Sequence, residues 1–134
     1  MPIALSLDQQ EQMLAAARTA FKNAHAPYSN FRVGSAILTE RGKMYSGCNV
    51  ENASYGLSVC AERNAIFAAV AAEGSGMRIT AVAVATDRDV PCAPCGACRQ
   101  VIYEFGPEAV VLFRGRSGTE QMPITKLLPE GFRL

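Results

Sequence analysis

The chain has 134 residues, 49% of them apolar, and its 13 basic and 12 acidic side chains leave a formal net charge of +1. Length and composition fit one globular α/β domain over residues 1–134 and exclude a disordered chain, and no apolar run is long enough to cross a bilayer. Without a Lys/Arg cluster there is no footprint for a phosphate backbone, which argues against a nucleic-acid partner.

The first residues, Met1 to Ser6, lack the basic and long apolar regions of a secretory signal, so a cytoplasmic location is expected. Ser6 with Gln9 reads as a capping box, and Met13, Leu14, Ala17, Ala20, Phe21 and Ala24 recur at helical spacing behind it, predicting a helix to about residue 24. His25, the only histidine, lies just past that helix and far from the thiols in sequence, so no ligand role is assigned to it. Residues 26–30 form a loop, 31–38 a strand, 40–43 a turn and 44–47 a second strand. The segment Gly47-Cys48-Asn49-Val50-Glu51-Asn52 leaves that strand, and its alternation places the Asn49 amide and the Glu51 carboxylate on one side.

Ser58 is the expected N-cap of a second helix, which Gly74 and Gly76 end. The body of that helix, residues 65–72, is apolar on every face, as for a helix buried against a sheet or a partner subunit. Residues 79–85 are a nearly continuous apolar strand of the kind found mid-sheet. Pro91 and Pro94 bracket a loop that delivers Cys95 and Cys98 to the first turn of a third helix, ended by Gly106-Pro107. Residues 109–113 form the next strand, 115–118 a turn, and Leu127-Leu128-Pro129 closes a short terminal element. That order suggests one sheet covered by helices on both faces.

Chemistry concentrates in two stretches, Cys60-Ala61-Glu62-Arg63 and Pro94-Cys95-Gly96-Ala97-Cys98-Arg99. Five cysteines in a reducing compartment are metal ligands or free thiols before they are disulfides. Cys95 and Cys98 share a helical face, and Cys60 supplies a third sulfur at another helix start; three protein ligands with one open position is the arrangement of a catalytic Zn2+. Helix N-termini lower thiol pKa values, so all three are expected as thiolates. Such a site carries a formal charge of −1 and needs compensation, for which Arg63 and Arg99 are at hand. Glu62, two residues from Cys60, is near enough to act as a base without being a ligand. Cys92 completes a Cys-x-x-Cys-x-x-Cys run and opens a rival reading, a closed structural zinc on Cys60, Cys92, Cys95 and Cys98 in a binding module; Cys48 is expected as a packed thiol.

Together with Pro27-Tyr28-Ser29, Phe31, Val33-Gly34 and the Asn49-Val50-Glu51-Asn52 segment, these stretches resemble the small, three-cysteine cytidine deaminases, in the family's order and over most of the chain. The resemblance implies a three-layer α/β/α sandwich with a central mixed five-stranded sheet, and one Zn2+ per subunit on Cys60, Cys95 and Cys98. It implies Glu62 as the catalytic proton shuttle and Arg63 as a hydrogen-bond donor to the thiolates. It also implies Phe31 against the pyrimidine, and Asn49 and Glu51 on the ribose hydroxyl groups. The implied reaction is hydrolysis of cytidine or 2′-deoxycytidine to the uridine and ammonia, in pyrimidine salvage. The implied assembly is a homotetramer with shared active sites, to which Tyr55 and Phe132 are assigned as shared walls. Deaminases of nucleoside antibiotics such as blasticidin S carry similar zinc motifs and form the alternative.

Overall fold

The computed structural model describes residues 4–134, and the reading of Met1 to Ile3 as free of a secretory signal lies outside them. The elements are α1 (Leu7–Phe21), β1 (Val33–Thr39), β2 (Met44–Cys48), α2 (Ala61–Glu73), β3 (Ile79–Thr86), α3 (Gly96–Phe105), β4 (Val110–Gly115), β5 (Gly118–Pro123) and α4 (Ile124–Leu127). A short 3-10 turn at Tyr55–Leu57 precedes α2. The strands form one mixed five-stranded sheet in the order β2-β1-β3-β4-β5, in which only β3 and β4 run parallel.

Strand periodicity sorts the side chains into two cores. Ala36, Ala81, Ala83, Val110 and Leu112 face Met13 and Ala17 of α1. Ile37, Val82, Val84, Val111 and Phe113 face the other way, toward α2, Ile102 of α3 and Ile124 of α4. Small alanines on the first face let α1 approach closely, and a Cβ on Gly34 would run into the backbone of Ala17. The three layers expected from the sequence are therefore present, with α1 alone on one side.

The capping box forms as read: the Ser6 hydroxyl accepts from the Gln9 N–H and Gln9 returns the bond to the Ser6 N–H. Two expectations are corrected. The N-cap of α2 is Cys60, while the Ser58 hydroxyl instead accepts from the Asn52 N–H at 3.1 Å. Nor is α2 buried all round, because Phe67, Ala68, Ala71 and Ala72 face out of this chain. A strand absent from the sequence reading, β5, pairs with β4 as a sheet edge, its burial alternating residue by residue. Among the described residues no helix is long and apolar enough to cross a membrane.

Candidate metal centre and active site

Two helix N-termini meet at the site. Cys60 is the N-cap of α2 and Cys95 the N-cap of α3, and neither sulfur is used as a cap acceptor. Both are left free to turn toward each other, and Cys98, fully buried in the first turn of α3, joins them. The three Sγ atoms lie within 4.8 Å of one another, with Cys60 and Cys95 3.7 Å apart. Two sulfurs on a tetrahedral zinc with bonds of about 2.3 Å sit about 3.8 Å apart, so the spacing suits that metal. Cys92 and Cys48 are not in the cluster. That composition leaves three ligands, which goes against the four-thiolate reading.

The protonation chemistry fits a cation as well. Hydrogen bonding with Cys98, reinforced by Arg63 and Cys95, brings the Cys60 thiol down to about 5. Cys98 holds its proton far more tightly than usual because it bonds to the Cys60 sulfur and is buried. Cys60 and Cys98 thus share a proton that a divalent cation would displace. Arg63, with Nη2 3.4 Å from the Cys60 Sγ, supplies positive charge beside them. Arg99 does not meet the sulfurs: it donates to the carbonyls of Pro94 at 2.7 Å and Leu127 at 2.9 Å, pinning the cysteine loop to α4.

Above the cluster opens a cavity of about 260 Å³, lined among others by Phe31, Asn49, Glu51, Cys60, Glu62 and Cys92. Glu62 is only 4% exposed, and burial raises its carboxyl to about 7. A carboxyl so placed can hold or release a proton near neutrality. The opposite wall is built by the segment after β2. Asn49 spends its amide on the backbone of β1's approach, accepting from Val33 N–H at 2.9 Å and donating to Phe31 C=O at 2.8 Å. Glu51 accepts from the N–H groups of Tyr28 at 3.0 Å and Ser29 at 3.1 Å, and from the Ser29 hydroxyl. The Ser29 bond, with the two backbone donors, holds the Glu51 carboxyl below the usual range. Both side chains of the Asn-x-Glu alternation thus reach one facing loop.

The structure brings Phe31, Asn49, Glu51, Cys60, Glu62 and Cys95 to one cavity, with Cys98 and Arg63 at its base. Tyr55 lines a neighbouring cavity of about 330 Å³ that shares Ser29 and Glu51 with it, and Tyr55 meets Tyr28 edge to face at 5.8 Å. Phe132 lies elsewhere, 66% exposed, its carbonyl accepting from Gln100. Sequence reasoning missed Ser29 as the partner of Glu51, and Arg88, whose guanidinium sits 5.4 Å over the Phe31 ring. Ser29 lay inside a quoted motif but carried no role; nothing local marked Arg88.

Comparison with known proteins adds independent findings. Residues 7–114 match the family model described as the cytidine and deoxycytidylate deaminase zinc-binding region. A cytidine deaminase of Sporosarcina psychrophila is 45% identical over 125 residues, covering 91% of this chain and 90% of the relative. One of Halalkalibacterium halodurans is 40% identical over 92% of this chain and 93% of its own length. The crystal structure of cytidine deaminase from Burkholderia pseudomallei superposes with a TM-score of 0.82 at 46% identity, covering 91% of this chain and 98% of that one.

Proposed function

The chain belongs to the cytidine and deoxycytidylate deaminase family, and from that premise we propose how its residues divide the work. It is a zinc-dependent hydrolase that converts cytidine to uridine and ammonia, a step of pyrimidine salvage, and the convergence of three thiols beside a buried carboxyl carries this reading. Cys60, Cys95 and Cys98 hold the ion, and the zinc supplies the Lewis acidity that makes a water nucleophilic at neutral pH. Arg63 offsets the excess negative charge of three thiolates.

Glu62 accepts a proton from the attacking water and passes protons to the base, so that ammonia leaves in place of an amide ion. Its burial serves this role, because a carboxyl poised near 7 both takes and gives. Phe31 packs on the pyrimidine, braced by Arg88 on one side and by Asn49 through the backbone. Asn49 and Glu51 keep hydrogen-bonding capacity beyond their protein partners, and that capacity meets the ribose hydroxyl groups. The charge on Glu51 repels phosphate, so the substrate is the nucleoside, cytidine or 2′-deoxycytidine, and not the nucleotide.

The whole chain acts as one catalytic unit and assembles as a homotetramer with shared sites. The apolar outward face of α2 supports the assembly, and the exposed Tyr55 and Phe132 support the sharing. Five free thiols suit a reducing cytoplasm. The deciding experiment follows the ultraviolet absorbance of cytidine with zinc-loaded protein, with Glu62→Ala as control. Decay with the wild type alone supports the reading. Absence of decay in a protein that still binds one zinc, with turnover of blasticidin S, replaces it by the antibiotic deaminase.

A further inference from the structure

On the α1 side of the sheet, at the carboxyl ends of the parallel strands β3 and β4, lies a separate cavity of about 180 Å³. Arg18 from the last turn of α1, Arg88 from the loop after β3 and Arg114 from β4 all line it, together with Thr86, Thr119 and Cys92. None of the described residues lining it is a carboxylate. Asp89, outside the lining, pairs with Arg114, and among the described residues no carboxylate is paired with Arg18 or Arg88. With Asp87 and Asp89 both in the exposed loop around it, the lining itself still holds three guanidinium groups and no carboxylate, and is positive. Mutual repulsion of like charges makes such a cluster costly unless an anion completes it. Forked N–H donors around a small cavity match a tetrahedral oxyanion, and the ends of parallel strands are where open α/β sheets take ligands.

One residue of this cavity also lines the one at the thiol cluster, and a second touches its Phe31 wall. Cys92 lines both, forming the partition between them. Arg88 stands over the Phe31 ring and donates to the Asn30 carbonyl at 2.7 Å, gripping the loop that carries Phe31. We propose that this cavity is a second ligand site, which takes a phosphate group, and that its occupancy alters the pyrimidine pocket through Arg88 and Phe31. The binding half stands by itself; the coupling half rests on the deaminase reading.

The test titrates zinc-loaded protein with inorganic phosphate by calorimetry, in phosphate-free buffer at constant ionic strength with chloride as the balancing anion. Saturable binding is expected, weakened on the order of tenfold or more in Arg18→Gln and in Arg114→Gln, as for loss of one charge-assisted contact. Basal deamination without phosphate should be unchanged in Arg18→Gln. Phosphate should shift the KM for cytidine in the wild type and fail to do so in that variant. A parallel titration with glycerol phosphate separates the sources: tighter binding than inorganic phosphate assigns the site to a monoester, weaker binding to the free ion. No saturable binding at millimolar phosphate, or binding undiminished in both variants, overturns the site. Binding with an unmoved KM overturns the coupling. Absence of basal deamination counts against the catalytic reading and leaves the calorimetric result standing.

Discussion

Glu62 and Glu51 show how environment assigns two carboxyl groups to different work. Glu62 is sealed among apolar neighbours and the sulfurs, and burial raises it to about 7. Glu51 is wrapped in donors, and the Ser29 hydrogen bond leads in lowering it. Glu62→Gln preserves shape and removes the proton acceptor. Turnover should drop by roughly 10²–10⁴-fold while zinc content and unfolding temperature hold; steady-state kinetics with metal analysis checks this, and near-full activity would remove Glu62 from the reaction. Glu51 carries a stability prediction whose sign follows from the direction of its shift. Because its folded value lies below the ordinary 4.5, the ionised form stabilises the fold above that pH. The contribution fades as pH falls below 4.5 and through the lower folded value. Wild type should therefore unfold at a higher temperature than Glu51→Gln near neutrality, and the gap should close in acid. A gap that stays constant from neutral to acid pH would mean that Glu51 is not held by Tyr28 and Ser29 as described.

At the scale of elements, the position of Cys60 and Glu62 depends on how closely α2 sits on the sheet. A Cβ at Gly47, in β2, would come 2.5 Å from the Ala65 N and 2.9 Å from the Ala61 O. Both are backbone atoms of α2, so the helix must move, and it carries Cys60 and Glu62 with it. Gly47→Ala should cost about 1–3 kcal/mol, the range for overpacking, and should lower kcat/KM as well. Gly56→Ala, with nothing within 4 Å, is the control. Thermal unfolding and kinetics on the two variants test it, and equal behaviour would show that β2 and α2 have slack. Such close approaches leave little local trace, which marks the limit of the sequence reading. The three longer helices and four strands were legible because apolar spacing, capping residues and Gly-Pro stops are local signals; α4, one turn long, was read only as a short terminal element. Cys95 and Cys98 were legible as a pair because a single helix turn sets their spacing, and Cys60 because it starts another helix two residues before Glu62. β5 was not, since Thr119, Glu120 and Gln121 are polar and an edge strand buries only alternate residues. The N-cap of α2 was misplaced because Ser58 is a better cap by chemistry than Cys60, whose sulfur turns toward Cys95 and Cys98 instead. Arg18, Arg88 and Arg114 converge only through the fold, so no charge run announced them.

For the whole molecule, the candidate catalytic cavity adjoins the hollow that Tyr55 lines, the two sharing Ser29 and Glu51. The chain also carries exposed aromatic surface: Tyr55 is 75% exposed and Phe132 66%. The face of α2 that holds Phe67, Ala68 and Ala71 is exposed too, Phe67 to 49%, and an exposed apolar patch of that kind marks an interaction surface. If copies associate through it, one subunit's aromatic residues can close another's cavity, and the division of labour is testable by complementation. Glu62→Gln lacks the proton shuttle, and Phe132→Ala lacks the proposed wall, so each alone should be impaired. Subunits mixed at equal ratio after reversible dissociation should regain activity, because some sites then draw Glu62 from one variant and Phe132 from the other. Random pairing restores roughly a quarter of such two-subunit sites. Light scattering on the mixture checks that the particle is the size of the parent assembly. Phe67→Asp, placed on the α2 face, should abolish both the assembly and the recovery. Activity no greater than the sum of the separate variants, in particles of full size, would place Glu62 and Phe132 in the service of the same subunit and end the shared-site reading.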